Sequence, residues 1–160
     1  MTDSTTQPPT LFDWAGGMAA FERLTTIFYE RVLADPVIGP VFAHMDAKHP
    51  TYVAHFLAEV FRGPTQYTEE RGGHPKMLSQ HLGRLLTEEQ RVRWMQLLLG
   101  SADDAGLPAD PEFRSAFVSY IEWGTRLAVI NSQDGVKPVL DQPMPSWGWG
   151  EVKGPYVGDT

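Results

Sequence analysis

The chain contains no cysteine. Disulfides, thiolate nucleophiles, iron–sulfur clusters and cysteine-based zinc sites are thereby excluded. Long apolar runs are also missing: no stretch approaches the ~18 residues of a membrane span. Positive charge is scarce, with 13 Lys and Arg against 20 Asp and Glu and a formal net charge of -7. An acidic surface repels phosphate backbones, so nucleic acid is not an expected partner. The segment Met1 to Pro9 is polar and lacks the basic start and apolar stretch of a signal peptide. A cytoplasmic location with no membrane contact is therefore expected. Alternation of the kind that marks strands and hairpins is absent, as is any internal repeat. The motif census is equally bare: no H-E-x-x-H, no G-x-S-x-G elbow and no Walker loop occurs.

What is present suits one globular domain of 160 residues, 42% hydrophobic and 21% charged. Residues 1–10 read as a flexible leader, residues 11–132 as the domain, and residues 133–160 as a Pro/Gly-rich tail. In the tail, Pro138, Pro143, Pro145 and Pro155 with Gly135, Gly148, Gly150, Gly154 and Gly158 rule out a long helix. Its tryptophans, Trp147 and Trp149, have two readings: a loosely ordered end, or a segment docked on the domain or on a partner.

The domain reads as all-α. Phe21, Leu24, Phe28 and Val32 form a helical stripe over Met18 to Leu33, stopped by Asp35-Pro36. A second helix starts at Pro50 and carries Val53, Phe56, Leu57, Val60 and Phe61, a buried face that Gly63-Pro64 ends. A third begins at Thr87, where Gln90 completes a capping-box pattern, and runs through Trp94 and Leu98 to about Gly100. A fourth starts at Asp110-Pro111 and carries Phe113, Phe117, Tyr120, Ile121 and Leu127. Between the second and third, Tyr67 to Leu86 reads as a weakly structured connection with one short helix over Lys76 to His81, the kind of segment that often carries function.

Without cysteine, histidine is the natural ligand for a soft metal or a haem iron. There are five: His44, His49, His55, His74 and His81. His81 stands apart by its setting, with Met77 and Leu78 before it and Leu82, Leu85 and Leu86 after it. Paired carboxylates such as Asp103-Asp104 and Glu69-Glu70 sit in polar surroundings and read as solvated surface.

Several segments resemble a known family when taken together and in order. Phe12-Asp13-Trp14-Ala15-Gly16-Gly17 is similar to an opening segment with a glycine pair. Phe28-Tyr29-Glu30-Arg31-Val32 is similar to a distal helix bearing a pocket tyrosine, and Asp35-Pro36 through Val41-Phe42 to a turn ending in an aromatic packed on the cofactor. Phe56-Leu57 through Gly63-Pro64 resembles the end of the distal-side helix. The run Tyr67-Thr68-Glu69-Glu70-Arg71-Gly72-Gly73-His74-Pro75 carries one glycine more than the family signature. His81 falls at the proximal histidine, and Trp94 at the pocket tryptophan. From about Leu11 to Ser132 the chain resembles the truncated haemoglobins of the second group, in the globin superfamily.

The resemblance implies a two-on-two helical sandwich around haem b, held without covalent attachment. It implies His81 as the metal ligand, Tyr29 and Trp94 as hydrogen-bond donors toward a bound ligand, and Phe42 packed on the ring. Phe28 and Val53 would line the distal cavity and Met77 the proximal face. The gate position falls on His49, where smaller residues are frequent, so His49 is either a distal-pocket group or a surface histidine at the start of a helix. Gln80 stands where the family often has a basic residue near a haem propionate, and Lys76 or Arg84 would have to substitute. Gly83-Arg84-Leu85 replaces the aromatic often found after the proximal histidine. The implied small ligands are O₂, NO, CO or peroxide. The implied function is O₂ binding with redox chemistry, either NO dioxygenase or peroxidase-like activity fed by an unidentified electron donor. The alternative is O₂ storage, transport or sensing without turnover. A homodimer is compatible with the family pattern.

Overall fold

The computed structural model describes residues 8–137 and 141–150. Residues 1–7 of the leader, and Pro138, Pro155, Gly154 and Gly158 of the tail, lie outside the described residues. Within them all regular structure is helical: α1 (Leu11–Ala15), α2 (Met18–Ala34), α3 (Gly39–Phe42), α4 (His49–Val60), α5 (Gln66–Arg71), α6 (His74–Ser79), α7 (Glu88–Asp104) and α8 (Pro111–Asn131). α2 packs against α4 and α7, and α7 against α8, which is the two-on-two arrangement expected from the sequence.

Local chemistry fixes the helix ends. The capping box forms as the sequence predicts: the Thr87 amide donates to Gln90 Oε1 (3.0 Å) and the Gln90 amide to Thr87 Oγ1 (3.1 Å). Asp110 caps α8 by accepting from the Phe113 amide (2.9 Å), and its other oxygen accepts from the Trp14 indole (2.9 Å), tying α1 to α8. Asp35 ends α2 and starts the next turn: it accepts from the amides of Val37 and Ile38 and from Arg93 Nε at 2.6 Å. Burial alone would raise its carboxyl pKa, but those three donors overcome it and hold the group below its ordinary value.

The structure departs from the sequence reading in two helices. α7 runs past Gly100 to Asp104. Gly100 stays within the helix, with the Arg31 guanidinium beside it, 3.5 Å from where a Cβ would stand. The helix ends instead beyond Ala105, where Gly106 takes a φ of 77° and Leu107 N–H returns to the Ala102 carbonyl at 3.0 Å. The expected connection between Tyr67 and Leu86 holds two short helices rather than one. Pro75 suits the first turn of a helix, so α6 begins at His74 and closes at Ser79, leaving His81 in the following turn.

The core is a ladder of phenylalanines. Phe12 stacks on Phe21 (5.9 Å), Phe21 on Phe61 (6.0 Å), Phe61 on Phe117 (5.5 Å) and Phe117 on Phe113 (5.8 Å). Each pair adds about 0.5–1.5 kcal/mol beyond area burial. Gly63 is required where α4 meets α1, since a Cβ there would lie 2.5 Å from the Phe12 ring.

Of the two readings of the tail tryptophans, residues 141–150 follow docking on the domain. The Trp147 amide donates to the Val60 carbonyl at 2.7 Å, and its ring packs on Tyr120 and Trp123. Trp149 lies edge-on to Trp14 and its indole donates to the Pro9 carbonyl at 2.8 Å. Arg62 anchors the segment from a left-handed backbone (φ 72°), a geometry that costs about 1–2 kcal/mol for a residue with a side chain. Its Nε donates to Ser146 Oγ (3.0 Å), and its guanidinium lies over Gly148, where a Cβ would stand 2.9 Å from Nη1.

Candidate functional site

α2, α4, α7 and α8, with the turns around α3 and α6, enclose a cavity of about 500 Å³. That is the size of a small-molecule or cofactor site. Most of its wall is aliphatic and aromatic. Val41 and Phe42 come from α3, Val53 and Leu57 from α4, Met77 and Leu78 from α6, and Ile121 and Leu127 from α8.

Polar groups enter this wall at few points. Tyr29 on α2 is buried, and its hydroxyl lies 3.0 Å from Nε2 of His49, the first residue of α4. The Tyr29 ring also meets Phe42 edge-on at 5.5 Å. Burial pushes the Tyr29 phenol far above its ordinary range, so it stays protonated. The His49 imidazole is pushed the other way, by burial first and then by Arg84 and Arg71 against the opposing pull of Asp46. Trp94 projects from α7 into the same wall.

On the α6 side, His81 faces the cavity from the turn after the helix. Burial of its ring, reinforced by the Arg84 charge, lowers its pKa to about 4. The Met77 backbone carbonyl, four residues back, pulls weakly the other way. The result at neutral pH is an uncharged imidazole, the state in which histidine ligates a metal. Arg84 also lies on the wall, its Nε donating to the Gln80 carbonyl at 2.5 Å.

Eight of the nine residues singled out from the sequence therefore meet at one cavity: Tyr29, Phe42, His49, Val53, Met77, His81, Arg84 and Trp94. Phe28 does not line it. Phe28 is fully buried one layer behind, edge-on to Tyr29 (4.7 Å) and Trp94 (5.0 Å), where it fixes the two rings that do. Neighbours on one helix point about a third of a turn apart, so Phe28 and Tyr29 cannot share a face. Lys76 is not on the wall either. Of the other histidines, His44 sits at the rim, while His55 lies on α4 with Nδ1 3.6 Å from Glu70.

Two further wall groups are given no pocket role by the sequence, although His74 is among its five candidate ligands. His74, 5% exposed, has a buried Nδ1 without a hydrogen-bond partner among the described residues, and Arg71 has a buried Nε in the same condition. The Arg71 guanidinium lies 3.9 Å over the Tyr52 ring. Leaving such a group unsatisfied costs about 1–3 kcal/mol, more if charged. Their signal in the sequence is the run Arg71-Gly72-Gly73-His74, which marks the resemblance there but does not point Arg71 or His74 at the cavity.

Residues 10–121 match the bacterial-like globin family. The chain belongs to that family. Among its relatives, the globin is 31% identical over 94 residues to the group 2 truncated hemoglobin YjbI of Bacillus subtilis, covering 59% of this chain and 70% of that one. It is 39% identical over 75 residues to the group 1 truncated hemoglobin GlbN of Nostoc commune, covering 46% and 59%. Its fold is similar to the crystal structure of the group II truncated hemoglobin from Bacillus anthracis, with a TM-score of 0.70, 27% identity and coverage of 78% and 93%. A thermostable hemoglobin from Thermobifida fusca gives a TM-score of 0.67, 31% identity and coverage of 76% and 97%. Membership in this family supports haem-based binding of small ligands.

The residues around the cavity fit that cofactor. A planar apolar ring would find aliphatic and aromatic walls, its iron a neutral histidine in His81, and its two carboxylates the unpartnered Arg71 Nε and His74 Nδ1, with Arg84 close by.

Proposed function

We propose that this globin holds haem b non-covalently with His81 as the iron ligand and binds O₂, NO, CO or peroxide on the side of Tyr29, Trp94 and His49, for redox chemistry rather than rapid oxygen delivery. The observation that carries the reading is the Tyr29–His49 pair at 3.0 Å, set in the same cavity wall as His81. When bound, haem supplies the coordination site and the electrons for reaction of these ligands. Phe42, Val53 and Met77 exclude water around the ring plane. Tyr29 and Trp94 offer an O–H and an N–H donor, and Tyr29 keeps its proton at every working pH because of its burial. A charge-assisted hydrogen bond is worth about 1.5–3 kcal/mol, so two donors acting together would slow ligand loss by a factor on the order of a thousand. Retention on that scale suits NO dioxygenation or peroxide reduction. His49 completes the group as the polar residue able to accept a hydrogen bond from Tyr29 or to donate one to it.

The deciding test is the absorption spectrum after haem addition. The wild type should show a histidine-ligated Soret band, and His81→Gly should lose that signature while still taking up haem. Retention of the signature would move the ligand to His74 or His49. Fast O₂ release without reaction with NO would make the globin a store or carrier.

A further inference from the structure

Trp123 on α8 is 43% exposed, yet it also lines the cavity. Tyr120, one turn earlier, lines the cavity from a buried position. The docked tail adds a third ring to these two. Trp147 lies 5.6 Å from Trp123, tilted by 39°, and 5.2 Å from Tyr120, edge-on at 70°. Tyr120 and Trp123 are 6.0 Å apart. Three electron-rich rings in mutual contact thus join the cavity wall to the protein surface. Trp147 is held in place by the hydrogen bond to Val60 and by the grip of Arg62 on Ser146 and Gly148. Trp123, 43% exposed, gains less from burial than a core residue does, so stability alone is a weak reason to set it against the partly buried Trp147.

The three rings differ in what they can do. A phenol gives up an electron readily only when its proton can leave, and burial holds the Tyr120 proton firmly in place. An indole can lose an electron first and keep its proton. Trp123 and Trp147 are therefore the stopping points, and Tyr120 is packing between them.

We propose that Trp123 and Trp147 form an electron relay that carries reducing equivalents, one at a time, from small phenolic reductants at the surface to the cavity. The proposal rests on the redox reading above. The balance is simple. Peroxide takes two electrons and two protons to become two molecules of water. Each electron leaves one phenol, which also releases one proton and ends as a phenoxyl radical. Within the relay, Trp123 loses an electron to the cavity and regains one from Trp147, and Trp147 is refilled by the phenol.

The test uses the full chain loaded with haem and treated with hydrogen peroxide, with and without guaiacol as the phenolic reductant. Without guaiacol, peptide mass spectrometry should find oxidised indole at Trp147 and Trp123. Trp123→Phe should abolish oxidation at Trp147. In Trp147→Phe the peroxide-driven Soret change should keep its rate, while guaiacol oxidation falls roughly tenfold, the loss of about 1.4 kcal/mol of barrier lowering. Helical circular dichroism checks that both variants fold. A Soret change with oxidation away from both indoles, or with guaiacol turnover unaltered in Trp147→Phe, overturns the relay alone. A Soret band that peroxide leaves unchanged in the wild type overturns the redox reading, and the relay with it.

Discussion

The hydroxyl of Tyr29 and Nε2 of His49 are 3.0 Å apart, and the single proton between them can serve only one direction. If the phenol donates to His49, its proton points away from a ligand in the cavity. If His49 carries the proton on Nε2, the phenol accepts and its own O–H is free to point at the ligand. On the proposed reading, His49 would thus regulate the donor that holds the ligand.

This fixes the sign of a pH effect. Protonated His49 has no acceptor at Nε2, so acid frees the Tyr29 O–H. The His49 pKa is lowered from 6.5, so the transition lies below that value. O₂ dissociation, followed by stopped-flow mixing with a scavenger, should slow as the pH falls through that range. His49→Ala should show the slow rate at neutral pH and no acid transition. Below the His49 transition, where the O–H is free for the ligand, Tyr29→Phe should speed dissociation by roughly ten- to a hundredfold, the equivalent of about 1.5–3 kcal/mol, and it should also lose the pH dependence.

His74 offers an experiment in which stability and haem retention part company. Its Nδ1 is buried without a partner among the described residues. In haem-free protein, His74→Leu removes an unsatisfied group that costs about 1–3 kcal/mol, so thermal unfolding should shift upward or stay in place. In loaded protein the same change removes a propionate contact, and transfer of haem to a scavenging apoprotein should accelerate. A fall in apo stability together with unaltered haem transfer would refute the assignment of His74 to the propionates.

Asp110 and Thr87 both cap helices, but only one of them reaches across the fold. Thr87→Ala removes a capping box and should cost about 1 kcal/mol in denaturant unfolding. Asp110→Ala also strips Trp14 of its indole acceptor, so its cost should be larger by about 1–3 kcal/mol. A double change of Asp110→Ala and Trp14→Phe should recover part of that difference, because no donor is then left unpaired.

The sequence made the main helices legible because each carries its own periodicity and its own cap, as Thr87 and Gln90 show. Tyr29, His49, His81 and Trp94 could be picked out by family spacing, and they meet at one cavity. Phe28 was misplaced by one layer, because spacing marks a helix but not which of two adjacent residues turns inward. Arg71 and His74 escaped notice as pocket groups because nothing local distinguishes a buried unpartnered donor from a surface one. Only tertiary packing, such as that of α5 against α4, does so. Trp123 was missed for a related reason. It continues the stripe of α8 but looks outward, and its link to Trp147 joins segments that no periodic pattern connects.

The placement of the tryptophans also makes the protein its own optical reporter. Of the five, Trp94 and Trp123 stand in the cavity wall, whereas Trp14 and Trp149 pair with each other where the described chain returns on itself at Pro9. A chromophore entering the cavity would quench the wall indoles more strongly than the Trp14–Trp149 pair, which does not line it. Emission from this chain would therefore fall in two unequal components as it fills, and the ratio between them would measure occupancy without any attached label.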